Sequence, residues 1–289
     1  MNSSLKINKR YYLPGEEWLY YKLYTGNRMA DIVLEEYISQ MTEQLIKENL
    51  IKKWFFIRYN DPEHHLRIRL KARNFHAISK TMQITQNYFK ACMEKKLIYN
   101  IAMDTYVREL ERYGGKVITQ TESLFFHDSL MMIRALHIFK NQELFTLFII
   151  KSINSILESF KFDINDKIKF VDQGLHNFKQ EFNANKDAIK QLSRSYREHR
   201  AILNQIMGEI PQNQEFYRME ELIQNRSISI KPCIDDIYKH KKEKDHIYTA
   251  SIVHMSVNRA FRKNQRLHEF ICYFFLSKYL NSQKALLCE

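Results

Sequence analysis

The chain is poor in the residues that bend a backbone: six glycines and four prolines among 289 residues leave few obligatory turns. That scarcity argues against collagenous and low-complexity classes and favours long regular elements, with helix exceeding strand. Cysteine is equally sparse. Cys92, Cys233, Cys272 and Cys288 stand far apart, with no CxxC pair and no signal peptide before them. Neither a disulfide framework nor a zinc site is expected, and the implied setting is reducing and cytosolic. No apolar run reaches the roughly 18 residues of a membrane span; the nearest, around Leu144–Ile150, is flanked by Lys140 and Lys151. A Gly-rich phosphate loop, HExxH, GxSxG and GxGxxG are all missing, and His64-His65 alone is weak evidence for a metal.

What is present suits a globular protein with a sizeable core, since 45% of the residues are hydrophobic. A net charge of +12 attracts anionic partners without identifying them, so nucleic acid, an acidic peptide and a carboxylate-bearing substrate all fit. The one compact basic run, Lys239–Lys244, reads as a solvated loop.

The first hundred residues alternate short elements. Glu17–Tyr24 is an aromatic-rich strand ending at Thr25-Gly26-Asn27. Ala30, Val33, Leu34, Tyr37, Ile38, Met41 and Leu45 then trace one apolar stripe along a helix. Trp54–Tyr59 and His65–Lys71 form a hairpin across Asn60-Asp61-Pro62, a second helix covers about Phe75–Lys95, and Ile98 to about Arg108 returns as a fourth strand. The order is β-α-β-β-α-β, a ferredoxin-like unit over about residues 1–115. From about 116 to 289 the pattern is mostly helical, with six or seven helices, Asn165, Asn185 and Asn213 as starts, and Pro211 and Pro232 as interruptions. The expected class is therefore α+β, a ferredoxin-like sheet with the helical half packed on it in one domain.

Three places carry candidate chemistry. In the third strand, Leu66, Ile68 and Leu70 face one way while His65, Arg67, Arg69 and Lys71 face the other. On alternation alone the cationic row reads as a solvated face. If helices cover it, it becomes a place where guanidinium forks hold a carboxylate. Tyr106-Val107-Arg108-Glu109-Leu110-Glu111-Arg112-Tyr113-Gly114-Gly115 is the second, where Glu109 either orients an arginine or forms an ordinary surface ion pair. The third is the apolar helix Ala250–Arg259, which carries His254 and, four residues on, Asn258. A lone histidine there is a packed core residue or a proton-transfer group.

Together WLYYKLY, WFFIRYNDPEHHLRIRL, YVRELERYGG, the ESLFFHDS segment at Glu122–Ser129 and the late HMSVNR resemble the thiopeptide-type bacteriocin biosynthesis family, which includes the C-terminal domain of the class I lanthipeptide dehydratases. The resemblance runs along nearly the whole chain, in the family's order. It implies β-elimination of glutamate from glutamylated Ser or Thr of a ribosomal precursor peptide bearing a leader, with no metal or organic cofactor. A chain of 289 residues has no room for the large domain that transfers glutamate from glutamyl-tRNA, so a separate glutamylating protein is the expected partner. Direct tRNA binding and homodimerisation are left open. By resemblance, Arg69 and Arg112 clamp the glutamyl group and enolate, Glu109 orients them, and His254 transfers a proton. His65, Arg67, Tyr106, Arg108, Asn258 and Arg259 are the implied further substrate contacts. Two other readings stand beside this one: a [4+2] cycloaddition that closes a pyridine ring in thiopeptides, and a non-catalytic subunit that binds a leader peptide or tRNA.

Overall fold

The structure, a computed structural model, describes residues 9–208 and 213–287, so Pro211 and Cys288 lie outside the described residues. The chain divides into two compact units, Met1–His137 with Asp235–His240, and Ile138–Ile234 with Lys241–Glu289. Helix predominates over two small antiparallel sheets, as an α+β chain requires.

The first unit opens with β1 (Tyr11–Tyr12) and β2 (Trp18–Tyr24). A helical passage follows, composed of α1 (Met29–Ile32), a π-helical stretch (Val33–Ile38) and α2 (Ser39–Lys47). Next come β3 (Ile51–Tyr59), β4 (His65–Ala72), α3 (Phe75–Glu94), β5 (Asn100–Met103), β6 (Tyr106–Val107), α4 (Leu110–Tyr113) and α5 (Ile118–Ile138). The main sheet has the order β3-β4-β2-β5, antiparallel throughout. Aromatic and branched side chains at alternate positions build it. Trp18, Trp54 and Phe56 are at most 1% exposed, and each contributes about 1.5–3 kcal/mol of burial free energy.

The expected fourth strand is corrected: it breaks at Asp104-Thr105 instead of running to Arg108. Asp104 accepts a hydrogen bond from the Thr105 amide at 2.7 Å and pairs with Lys22 at 2.5 Å, the local bonding by which Asp turns a chain. As a result β5 stays on β2, while β6 leaves to pair with β1, Tyr12 opposite Tyr106.

The second unit is built from α6 (Gln142–Ser159), α7 (Ile164–Glu181), α8 (Lys186–Met207), most of α9 (Gln214–Tyr238), α10 (His246–Ala260) and α11 (Gln265–Leu287). Asn185 caps α8, and the Asn213 side chain accepts from the Phe216 amide at 2.9 Å at the start of α9. Asn165 does not start α7; Asp163 does, accepting from the amides of Asn165 and Asp166. Pro232 does not interrupt α9 either. A proline inside a helix costs about 3 kcal/mol, and the fully packed Ile230 and Ile234 on either side of it offset that cost. Gly174 lets α7 approach α11 closely, because a Cβ there would overlap the ring of Tyr273.

Candidate functional site

Strand alternation sends the residues of β4 to two different environments. Leu66, Ile68 and Leu70 share a face with Leu19, Tyr21 and Leu23. That face meets α3, where the Tyr21 hydroxyl lies 3.3 Å from Thr85 Oγ1. The opposite face carries His65, Arg67, Arg69 and Lys71, in register with Tyr24, Lys22, Tyr20 and Trp18 on one side. It is not a solvated face: α5 packs on it, with Phe125 5.5 Å from Phe55 and Ser123 accepting from Lys53 Nζ at 2.6 Å. His65 and Arg69 are consequently 1% and 8% exposed.

Arg69 sits in an aromatic cage. Its guanidinium carbon lies 4.4 Å from the Tyr20 ring centre, 4.8 Å from Tyr106 and 5.3 Å from Phe55, and its buried Nε has no hydrogen-bond partner. Among the described residues no carboxylate pairs with it. Ring faces return about 0.5–2 kcal/mol to a cation, whereas withdrawing an unpaired charge from water costs several kcal/mol. The cage therefore positions the cation without compensating it, an arrangement chemically able to hold an anion.

Tyr106 owes its place in that cage to a group that alternation could not show. Glu122, on α5 and fully buried, accepts from the Tyr106 hydroxyl at 3.0 Å and from Arg108 Nε and Nη2 at 2.6 and 2.7 Å. Burial first, and the Glu122 charge second, push the Tyr106 phenol well above its ordinary pKa. Burial likewise pushes Tyr12, stacked on Tyr106 at 6.0 Å, up to about 12. Both remain neutral hydrogen-bonding walls. Arg108, a candidate contact, has a guanidinium committed to Glu122 and to the Lys9 carbonyl.

Toward the start of β4, His65 is buried and Arg67 half-buried. Arg67 stacks on Tyr59 at 3.3 Å and donates from Nε to His65 Nε2 at 3.0 Å. Since Arg67 can only donate, His65 Nε2 accepts, and Nδ1 carries the proton it gives to the Glu63 carbonyl at 2.7 Å. Burial, followed by the charges of Arg67 and Lys22, lowers the His65 pKa, in keeping with that neutral form. Glu109 and Arg112, at α4, form an exposed pair 3.5 Å apart.

The remaining candidates lie in the second unit, on α10. His254 Nδ1 is 2.8 Å from Glu269 Oε2 on α11, and Arg266 Nη1 donates to the same oxygen at 3.0 Å. Asn258 is half-buried one turn on. Arg259 is fully buried, its Nη1 donating to the Met255 carbonyl at 2.9 Å. The structure thus joins Arg69 with Tyr106, His65 with Arg67, and Glu109 with Arg112 in the first unit, and places His254, Asn258 and Arg259 in the second.

Sequence reasoning missed Tyr20, Phe55, Glu122 and Glu269. Glu122 heads the ESLFFHDS segment, and its presence on a largely apolar helix was a usable signal; Glu269 had only its i,i+3 spacing from Arg266. Among the described residues no group of His, Cys, Asp and Glu is placed to hold a metal ion, and no helix is long and apolar enough to cross a membrane.

Comparison with known proteins bears on this geometry. The model of the lantibiotic biosynthesis dehydratase C-terminal family matches residues 18–280. The subtilin biosynthesis protein SpaB of Bacillus subtilis is 26% identical over 271 residues, 90% of this chain and 25% of that protein. The nisin biosynthesis protein NisB of Lactococcus lactis subsp. lactis is 31% identical over 139 residues, 47% of this chain and 13% of its own length. The chain thus spans a quarter or less of these two relatives. Among solved structures, the tRNA-dependent lantibiotic dehydratase MibB of Microbispora sp. 107891 superposes with a TM-score of 0.74 at 18% identity, over 93% of this chain and 29% of that one. The pyridine synthase TbtD from thiomuracin biosynthesis reaches 0.63 at 9% identity, over 91% of this chain and 97% of its own.

Proposed function

Because the chain belongs to the lantibiotic biosynthesis dehydratase C-terminal family, we propose that it acts in dehydration of a ribosomal precursor peptide, and within that reaction performs the elimination of glutamate. The substrate is a Ser or Thr whose hydroxyl carries a glutamyl ester, made by a glutamylating activity outside these 289 residues. A base removes the Cα proton, the C–H pair becomes the Cα=Cβ bond, and the Cβ–O bond breaks to release glutamate as a carboxylate. The product is dehydroalanine from Ser or dehydrobutyrine from Thr.

The observation that carries this reading is the caged, unpaired guanidinium of Arg69. β-Elimination needs fixed positive charge where an enolate forms and where a carboxylate departs. In the proposed scheme Arg69 and Arg112 supply it, Glu109 orients Arg112 from 3.5 Å, and Arg67 and His65 line the approach. His254 transfers a proton; Asn258 and Arg259 share its helix. The strand order β3-β4-β2-β5 supports reading the first unit as ferredoxin-like, and the span of the family match supports reading both units as one domain.

A synthetic peptide bearing its leader and an O-glutamyl-Ser tests the proposal by mass spectrometry. Loss of glutamic acid by the wild type and retention by Arg69→Ala is the expected result. An intact glutamylated peptide under conditions where it binds sinks the reading. The fold shared with the pyridine synthase TbtD makes [4+2] cycloaddition of a bis-dehydroalanine peptide the next substrate in that event.

A further inference from the structure

The geometry assigns Glu269 as the positioning residue of His254, fixing its ring in the Nδ1–H tautomer and presenting Nε2 as the nitrogen that exchanges the proton. This deepens the elimination reading, on which its kinetic part rests.

The argument turns on one shared oxygen. Glu269 Oε2 lies 2.8 Å from His254 Nδ1 and 3.0 Å from Arg266 Nη1. A guanidinium has only protons to offer, so Oε2 is an acceptor, and the imidazole nitrogen facing it must carry a proton as well. A neutral His254 therefore keeps its proton on Nδ1, and its lone pair falls on Nε2, which has no partner among the described residues.

The surroundings hold that oxygen still. The Glu269 side chain is 4% exposed, whereas that of His254 is 27% exposed, so the anchor is buried and the working end of the ring reaches solvent. Arg266 is braced from its far side by Glu181 of α7, its Nη2 donating to Glu181 Oε2 at 2.5 Å, and it lies over the Phe178 ring at 4.5 Å. Hydrogen bonding to Arg266 holds Glu181 below the usual carboxylate range, so the bracing pair stays ionised. The row Glu181, Arg266, Glu269, His254 draws on α7, α11 and α10, and packing of the three helices aims the imidazole.

Imidazole tautomers are read directly from long-range proton–nitrogen NMR spectra of nitrogen-15-labelled full-length protein, with His254→Gln to assign the signal. The expected wild-type signal is Nδ1–H. Glu269→Leu, which removes the acceptor, shifts it toward Nε2–H. Glu269→Gln, whose amide oxygen still accepts, keeps it. On the glutamylated peptide, Glu269→Leu lowers kcat about 100-fold, the low end of what a placed acid–base group contributes, with KM little changed, and Glu269→Gln recovers most of that loss. An Nε2–H tautomer in the wild type overturns the assignment, as does unchanged kcat in a folded Glu269→Leu variant whose tautomer has switched. Should Glu269→Leu fail to fold, the wild-type tautomer and Glu269→Gln still decide. A wild type with the Nδ1–H tautomer but no elimination upholds the positioning and fails the elimination reading alone.

Discussion

The two faces of the four-stranded sheet treat a buried arginine in opposite ways. On the face that meets α3, Arg58 of β3 donates to Asp31 at 2.6 Å, both side chains nearly inaccessible. On the other face, Arg69 of β4 is caged by rings and meets no carboxylate. Arg108 and Glu122 repeat the closed arrangement beside it. A closed pair belongs to the fold, because removing either partner strands a charge; a buried cation without a partner carries a desolvation cost that no carboxylate offsets, and under the proposed function that cation meets the substrate. The same residue type, one strand apart, is paired in one case and left without a carboxylate in the other.

The sharpest break of that comparison comes from opening a closed pair. Glu122→Leu leaves Arg108 buried without its carboxylate and should cost about 3–5 kcal/mol in urea unfolding. If it costs under about 1 kcal/mol, Arg108 was never dependent on Glu122, and the contrast with Arg69 fails. Next in size is the converse experiment. Arg69→Met should cost elimination about 10²–10³-fold in kcat, the scale seen for removing one preorganised charge-stabilising donor. Its urea midpoint should stay level or rise, since no pair is broken.

A third test uses pH. Burial lowers the pKa of His64, His65 and His127, so the native state binds fewer protons than the unfolded state, whose imidazoles titrate near 6.5. The stability they hold is fully present above that value and is lost as pH falls through it toward the lowered native values. Thermal melts should show unfolding made easier by acid from about pH 6.5 downward, and His65→Gln should flatten the slope. Protonated His65 can no longer accept from Arg67, so the His65–Arg67 contact should loosen in the same window. The smallest expected change is at the exposed pair. Arg112→Ala should change the free energy of urea unfolding by less than about 1 kcal/mol, as exposed ion pairs do, while lowering turnover of the glutamylated peptide. An Arg112 variant with full turnover would remove it from the site.

Local pattern made much of this legible. The apolar stripe Ala30–Leu45, the hairpin across Asn60-Asp61-Pro62 and the Asn185 cap are short-range signals; the hairpin and cap read the same in the structure, and the stripe is buried along a helical passage whose Val33–Ile38 part is π-helical. The Asp104 break and the uninterrupted α9 were misjudged because a side-chain pairing and a packed helix face overrode local propensity. That β4 carries His65 and the three cations Arg67, Arg69 and Lys71 on one face followed from alternation alone.

Whether that face met water did not follow, because it depended on α5, some fifty residues further along the chain. The contacts that separate Arg69 from Arg58 and Arg108 join residues 14 to 49 positions apart, and those that tie His254 to Glu269 and Arg266 to Glu181 join residues 15 and 85 apart. The sequence by itself determined which charged groups exist and which side of a strand or helix they take, since backbone geometry imposes those periods on every chain. Only the tertiary structure decided which charges are neutralised, because compensation depends on what folding brings within hydrogen-bond reach.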